Sequence, residues 1–484
     1  MGAGRSSSRG EPGSAGHTGA HGILGRMAIQ TPTLLILGAR GDLTKRLLIP
    51  GLATLLKVER DRRVRVVGAD RVETTGAEWE QLVAEAFESA EAPKAVAKPV
   101  LDRTSYLEAD LLDYEDLSGL IDHCGDGPLV IFFALPPAVS MRVCELLRRI
   151  DLPKDTRLAL EKPFGTDLES AQRFNAMLRE VVPEERLYRI DHFLGVNTVF
   201  NLIGLRFANR MLQPIWNREH IERVEIVYDE DLALEGRAGY YDTAGALRDM
   251  LQSHLLQILA IFAMESIATV TPEELQDAKA QALRATRVRG GSPKRASRRA
   301  RYTAGTSRDR RVPDYVAEGG VDPANMTETL AQVTLEIRNN RWAGVPFVVR
   351  SGKALAVPRK QIIIYFHDVA HLPTGFIGDS HGDTLVIDLK PGAVHLSLTM
   401  NAEGDPLDLE QKTMSATLAA PRMHAYGEVL GEILDGSQLL TVRGDAAEEC
   451  WRIMEPVLTA WAADRVPMEE YAAGSAGPEG WLHA

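Results

Sequence analysis

Thr33 to Ala39 (TLLILGA) is a nearly continuous apolar run that closes on Gly38-Ala39. A strand apolar on both faces belongs inside a parallel sheet covered by helices. The segments after it keep that pattern. Leu43 to Lys57 reads as a helix, Val64 to Ala69 (VRVVGA) as a second strand and Ser105 to Ala109 as a weaker third. Leu129 to Leu135 (LVIFFAL) is a strong strand stopped by Pro136-Pro137. Residues 140–150 look helical and Leu158 to Leu160 is a further strand. Strands alternating with helical patterns predict βαβ units and a doubly wound α/β sheet.

Beyond about residue 180 the rhythm changes. Residues 192–212 and 244–265 read as helices. Strand-like runs follow at Val224 to Tyr228, Ala331 to Ile337, Phe347 to Arg350, Ile362 to Phe366, Thr384 to Leu389 and Val394 to Met400. Strands in succession predict a large antiparallel sheet. Helices over 422–436 and 445–463 close the chain. The expected organisation is a dinucleotide-binding α/β domain over 31–185, then an α+β domain over 186–484 for substrate binding and oligomerisation. Residues 286–312 are basic, with Gly, Ser and few apolar residues, and read as a mobile solvated loop rather than a phosphate-binding face.

Residues 1–30 are rich in Gly, Ser and Arg and are expected to be a disordered leader. They have no apolar core, so they do not read as a secretory signal. Met27 is a second candidate start, and the myristoylation pattern at Met1-Gly2 is read as a chance match. No apolar run approaches the ~20 residues of a membrane span. With a net charge of −12 on 484 residues, non-specific nucleic-acid binding is disfavoured. The three cysteines, Cys124, Cys144 and Cys450, lack metal-ligand spacing and read as reduced core thiols of a cytoplasmic protein. No metal site is expected.

The turn Gly38-Ala39-Arg40-Gly41-Asp42-Leu43 joins the first strand to the first helix. Glycines there let the backbone approach a pyrophosphate placed at the helix N-terminus. It is a G-x-x-G, not a full G-x-G-x-x-G. The second strand ends in Gly68-Ala69-Asp70-Arg71. Asp70 suits a ribose 2′-hydroxyl and hence NAD. Arg71, helped by Arg40, suits a 2′-phosphate and hence NADP. Downstream, Asp191-His192 and His254 offer a carboxylate and two imidazoles. Those groups can take a proton from an alcohol while a hydride leaves the same carbon.

Together these motifs resemble the glucose-6-phosphate dehydrogenase family. The matching pieces are the Gly38–Leu43 turn, Ala134-Leu135-Pro136-Pro137, Glu161-Lys162-Pro163-Phe164-Gly165, Arg189 to Gly195, Arg206-Phe207-Ala208-Asn209 and Pro214-Ile215-Trp216-Asn217-Arg218. Further on come Glu235-Gly236-Arg237, Arg248-Asp249-Met250, His254-Leu255-Leu256-Gln257 and Arg350-Ser351-Gly352-Lys353-Ala354-Leu355. The resemblance runs from about residue 33 to 481. It implies a Rossmann-like domain followed by an α+β domain with a large, mostly antiparallel sheet. It implies oxidation of C1 of glucose 6-phosphate to the lactone, in the pentose phosphate pathway, with NADP or sometimes NAD, by a homodimer or homotetramer.

The same resemblance assigns roles. His254 matches the general base and Asp191 the carboxylate that orients it. Lys162 matches a lysine near nicotinamide and sugar, followed by a proline, Pro163, that looks cis in this family. Glu230, Asp249 and Lys353 match groups that hold the sugar. Solvated surface charge is the alternative for these, most of all for Glu230 in the run Asp229-Glu230-Asp231. Gly38, Arg40, Gly41, Asp42, Leu43, Arg71, Pro136 and Lys162 match cofactor-binding positions.

One sub-site departs from the family. His192 keeps its place among the phosphate ligands, but a tyrosine position is Phe193 and two lysine positions are Leu47 and Val196. Lys45 and Arg46 sit nearby but on other helix faces. Two lost charged contacts, at about 1.5–3 kcal/mol each, cost two to four powers of ten in affinity. The sequence therefore supports a C1 dehydrogenase that acts on glucose 6-phosphate, on a hexose without the phosphate, or on the phosphate through a substitute cation such as Arg206 or the basic loop. A non-catalytic homologue acting as a partner protein is the reading from another class. The intact Asp191–His254 pair favours activity, since decay would spare that pair no more than the phosphate ligands.

Overall fold

The computed structural model describes residues 31–236, 238–378 and 382–481. The expected leader at 1–30 lies outside them. Two sheets organise the chain. The first contains β1 (Thr33–Leu37), β2 (Arg65–Asp70), β3 (Ser105–Glu108), β4 (Leu129–Phe133), β5 (Arg157–Glu161) and β6 (Leu187–Ile190). In space they run β6-β5-β4-β1-β2-β3, all parallel. β1 and β4 are buried at every position, as continuous apolar runs require. The parallel sheet extends past residue 185, because Leu187–Ile190 is its sixth strand.

The second sheet holds β7 (Ile221–Asp229), β8 (Thr286–Val288) and β9 (Ser297–Thr303). The short hairpin β10 (Gly305–Ser307) and β11 (Arg310–Val312) stands apart from it. β12 (Leu330–Ile337), β13 (Pro346–Gly352), β14 (Arg359–Phe366), β15 (Thr384–Leu389), β16 (Gly392–Asn401) and β17 (Leu409–Thr417) continue the sheet. β18 (Thr441–Val442) then returns to the first sheet, and β19 (Met468–Ala472) ends the second. Its order is β17-β16-β15-β14-β7-β13-β12-β9-β19, with β8 also on β12. Pairing is antiparallel except for β13 with β7 and β19 with β9.

Three expectations are corrected. Residues 286–312 are not a mobile loop: they supply β8 to β11. Their arginines find partners far along the chain, which local composition does not reveal. Arg298 pairs with Glu469, and buried Arg299 donates to the Val466 carbonyl and Asp464. Second, the helix expected over 192–212 is only Asn197–Phe207, because residues 191–196 turn sharply to present the site. Third, the two units interleave. Thr441–Val442 pairs antiparallel with β6. Helix Ala425–Asp435 buries Tyr426, Val429, Leu430 and Ile433 in the same core as Leu34, Ile36, Leu52 and Leu55. The end of the chain thus completes the sheet that its beginning starts. Cys124, Cys144 and Cys450 are all buried and unpaired, and burial pushes the thiols of Cys144 and Cys450 up to about 12. No helix among the described residues is long and apolar enough to cross a membrane.

Candidate active site

The turn after β1 has the shape a pyrophosphate needs. Gly38 sits at φ 85°, where a side chain is strained, and a Cβ there would come within 2.4 Å of the Ala134 carbonyl oxygen. At Gly41 a Cβ would meet the Gly38 carbonyl oxygen at 3.2 Å. The helix that follows opens with wide turns at Thr44–Leu48 and continues as Ile49–Val58. Pro136 caps the helix Pro137–Leu147 after β4. Asp70, at the end of β2, accepts from the Arg40 N–H at 3.2 Å. Arg71 and Asp42 are exposed beside the turn. Arg40 and Lys45 line one cleft next to Glu78. Lys45 thereby joins the candidate cofactor residues, although helical geometry had set it aside for the sugar site.

A second cavity of about 510 Å³ lies between the sheets and gathers most of the expected sugar ligands. Strand register places them. β5 pairs with β6 so that Glu161 faces Ile190, which sets Lys162 beside Asp191. β7 and β13 pair Asp229 with Gly352, which sets Glu230 opposite Lys353. Lys353 Nζ donates to Glu230 Oε2 at 2.8 Å. Lys162 Nζ donates to Asp249 Oδ1 at 2.9 Å and to its backbone carbonyl at 2.6 Å. The Lys162–Pro163 peptide is cis. Glu230 is therefore part of the cavity wall rather than a solvated surface charge.

Asp249 and His254 sit in Leu247–Leu255, a stretch of π-helix. In an α-helix of 3.6 residues per turn, positions five apart diverge around the axis. The i→i+5 bonding widens the turn and brings both side chains to the cavity. Glu328 secures the start of this stretch. Its Oε1 accepts from the Leu247 N–H at 2.8 Å, and its carbonyl accepts from the Ala246 N–H at 3.2 Å.

His254 Nδ1 lies 2.5 Å from Asp191 Oδ1, with both residues buried. The Phe193 N–H donates to the same oxygen at 3.0 Å. Burial alone would raise the Asp191 carboxyl; the His254 charge and hydrogen bond, with His192 and the Phe193 N–H, outweigh it and hold the group low. Burial lowers His254, and Asp191 offsets only part of this. His192 falls to about 4, chiefly through burial and then the His254 charge. The imidazole of His254 is thus neutral near pH 7, with Nδ1 occupied and the ring facing the cavity. This arrangement can accept a proton from an alcohol.

The sequence did not point to Glu161, Tyr228, Tyr241 or Tyr426 around this cavity. Tyr426 donates to Glu161 Oε1 at 2.9 Å. Burial raises the Glu161 carboxyl to about 7 against that bond. Only the motif around Glu161 carried any signal, as the residue before Lys162. Two proposed substitute cations behave differently from each other. Arg206 is buried and donates to the carbonyls of Ile261 and Met264, so it is not a phosphate ligand. The hairpin β10–β11 does reach the rim, where Arg308 pairs with Asp231 and Arg310 lies 3.9 Å from Glu235.

Comparison with known proteins gives a consistent result. Residues 35–201 match the family described as "Glucose-6-phosphate dehydrogenase, NAD binding domain", and residues 203–483 match "Glucose-6-phosphate dehydrogenase, C-terminal domain". The glucose-6-phosphate 1-dehydrogenase of Rhizobium meliloti (strain 1021) is 34% identical over 466 residues, covering 92% of this chain and 94% of the relative. That of Treponema pallidum (strain Nichols) is 34% identical over 487 residues, covering 94% of each. Among solved structures, glucose-6-phosphate 1-dehydrogenase from Mycobacterium avium superposes with a TM-score of 0.80 at 32% identity, covering 93% of this chain and 95% of the other. A glucose-6-phosphate dehydrogenase in complex with its substrate glucose-6-phosphate gives 0.82 at 29% identity, covering 93% and 96%.

Proposed function

The chain belongs to the glucose-6-phosphate dehydrogenase family, and from that premise we propose that it oxidises the C1 hydroxyl of glucose 6-phosphate to the lactone, feeding the pentose phosphate pathway. It is an oxidoreductase acting on a CH–OH group. NADP is the expected cofactor, with NAD as the alternative that Asp70 would favour. The glycine turn suits a dinucleotide pyrophosphate, because it joins β1 to the first helix with Gly38 at φ 85°, a conformation open to glycine. Gly38, Arg40, Gly41, Asp42, Leu43, Arg71, Pro136 and Lys162 would hold it, with Lys45 beside Arg40. Bound, the nicotinamide supplies the hydride acceptor.

The observation that carries this reading is the buried Asp191–His254 pair at the edge of a cavity walled by Lys162, Glu230, Asp249 and Lys353. His254 takes the C1 hydroxyl proton at its outward nitrogen. Asp191 fixes the ring through Nδ1 and stabilises the imidazolium that forms. Lys162, Glu230, Asp249 and Lys353 hold the sugar, and exchanging their internal ion pairs for sugar hydroxyls orients C1 toward the base. His192 remains the candidate phosphate contact.

A hexose without the phosphate is a second reading. Its support is that Leu43, Leu47 and Phe193 line the cavity beside His192. Initial rates of NADP and NAD reduction with glucose 6-phosphate and with glucose separate the two. Saturation by the phosphate at a much lower concentration than by glucose supports the first, and equal or better use of glucose supports the second. No turnover with either supports a non-catalytic partner protein. The same proposal includes division into nucleotide-binding and substrate-binding domains, a cytoplasmic location and a homodimer or homotetramer. Reduced, buried thiols suit that location.

A further inference from the structure

Asp191 also borders a second space of about 270 Å³, which shares Lys162 and Asp249 with the substrate cavity. Asp191, Gln257, Cys450 and Val442 line it. Two buried acceptors, Asp191 Oδ2 and Gln257 Oε1, make no hydrogen bond among the described residues. Near Asp191, outside the lining of either space, lies a lysine that no part of the mechanism uses. Lys279, on helix Pro272–Ala285, has 0% exposure. Its one hydrogen bond among the described residues is a long one, 3.4 Å, to the Thr441 carbonyl.

Strand register ties this ammonium to the dyad. Thr441 pairs with Ile190, the residue before Asp191. The ammonium at the Thr441 carbonyl thus sits one strand pair from Asp191, whose Oδ2 is buried without a hydrogen bond among the described residues. A buried ammonium with one weak acceptor is costly, and such groups persist where an opposite charge compensates them. The charged and titratable groups facing Lys279 are Asp191, Cys450, Arg443 and Asp445, and Asp191 is the strongest attraction. Those facing Asp191 are His254 and His192, which act on it most, with Lys279, Glu161, Tyr426 and Cys450 beyond them.

We propose that Lys279 is a positioning residue, which acts through Asp191 to keep that carboxylate ionised and so sets the proton affinity of His254. The proposal rests on the reading of Asp191–His254 as the reacting pair. A positive charge near Asp191 lowers the proton affinity of the whole pair. It also favours the ionised carboxylate in a site where burial opposes it. Burial draws Lys279 itself down to about 8, so it is cationic throughout the acid range in which His254 titrates.

The test is the pH profile of kcat for Lys279→Gln and Lys279→Met in the full-length enzyme, with glucose 6-phosphate and NADP. Gln keeps a hydrogen-bond donor for the Thr441 carbonyl but removes the charge. The expected result for Gln is an acid limb moved up by about one pH unit, a tenfold rise in the proton affinity of the base, with KM changed less than twofold. In an Asp191→Asn background the same substitution should move nothing further. A Gln variant with the parent profile, or an equal shift in both backgrounds, overturns the proposal even if Met fails to fold. If Asp191→Asn leaves turnover intact, the reading of the dyad fails first. If it abolishes the Lys279 effect while cutting kcat, both stand.

Discussion

The rings of Phe193 and His254 stack nearly parallel, with planes 15° apart and centroids 4.0 Å apart. The resemblance aligns Phe193 with a phosphate-binding position, yet here it backs the imidazole, and its ring centroid lies 5.0 Å from that of Tyr228. It shields the base from water on one face and has no hydroxyl to offer an anion. On the proposed reading, the cavity wall shifts at this point from binding charge to packing the base.

This shift can be tested by returning charge. Leu47 lines the cavity and is 46% exposed, so a longer side chain has room. Leu47→Lys should lower KM for glucose 6-phosphate by roughly ten- to a hundredfold, the value of one charged contact of about 1.5–3 kcal/mol. KM for free glucose should not move. Steady-state kinetics with both sugars read the result, and equal changes for both would show that the phosphate lies elsewhere.

The dyad carries a second expectation. Asp191→Asn removes the charge that stabilises the imidazolium and disturbs the tautomer of His254. kcat should drop by roughly four powers of ten, as for the carboxylate of other carboxylate–histidine pairs. Binding of the sugar, followed by calorimetry, should change little. A fall in affinity with kcat preserved would place Asp191 in binding rather than proton transfer.

The pH dependence follows from His254. Its pKa lies below the ordinary histidine value because burial outweighs Asp191. The base therefore stays neutral as the pH falls through about 6.5, and protonation comes only below that. kcat/KM, which reports the free enzyme, should be flat through that value and decline on the acid side. A decline that begins above pH 7 would contradict the burial argument.

Glu161 predicts a stability effect of opposite direction. Its folded-state pKa is raised to about 7, burial outweighing the Tyr426 bond. The stability linked to its protonated form is complete below its unfolded value and is lost as pH rises through about 7. At pH 8 the ionised group costs up to about 3 kcal/mol. Glu161→Gln should raise the denaturant midpoint at pH 8 and leave it unchanged near pH 4.5, measured by intrinsic fluorescence.

Much of this was legible in the sequence, for identifiable reasons. The first sheet announced itself because each parallel strand must be apolar on both faces, as β1 and β4 are. The Asp191–His254 pair was legible because its chemistry needs particular residue types, and the expected sugar ligands came through the family motifs; the structure brings them to one cavity. What escaped was non-local. β17 (Leu409–Thr417) is almost entirely exposed at an edge and carries no apolar alternation. β9 looked like a solvated loop because Glu469 and Asp464, which neutralise its arginines, lie far along the chain. Tyr426 reaches the cavity from a helix without any local motif. The pairing of Thr441 with Ile190 had no signature beyond two β-prone residues.

That last pairing bears on synthesis. The ribosome releases β1 to β6 early, but the strand on the outer edge of β6 and the helix over β1 come from residues 425–442. Until those emerge, the nascent sheet carries an open edge and a bare apolar face, both prone to mispairing. A chain truncated before Ala425 should therefore be a chaperone client rather than a stable nucleotide-binding fragment.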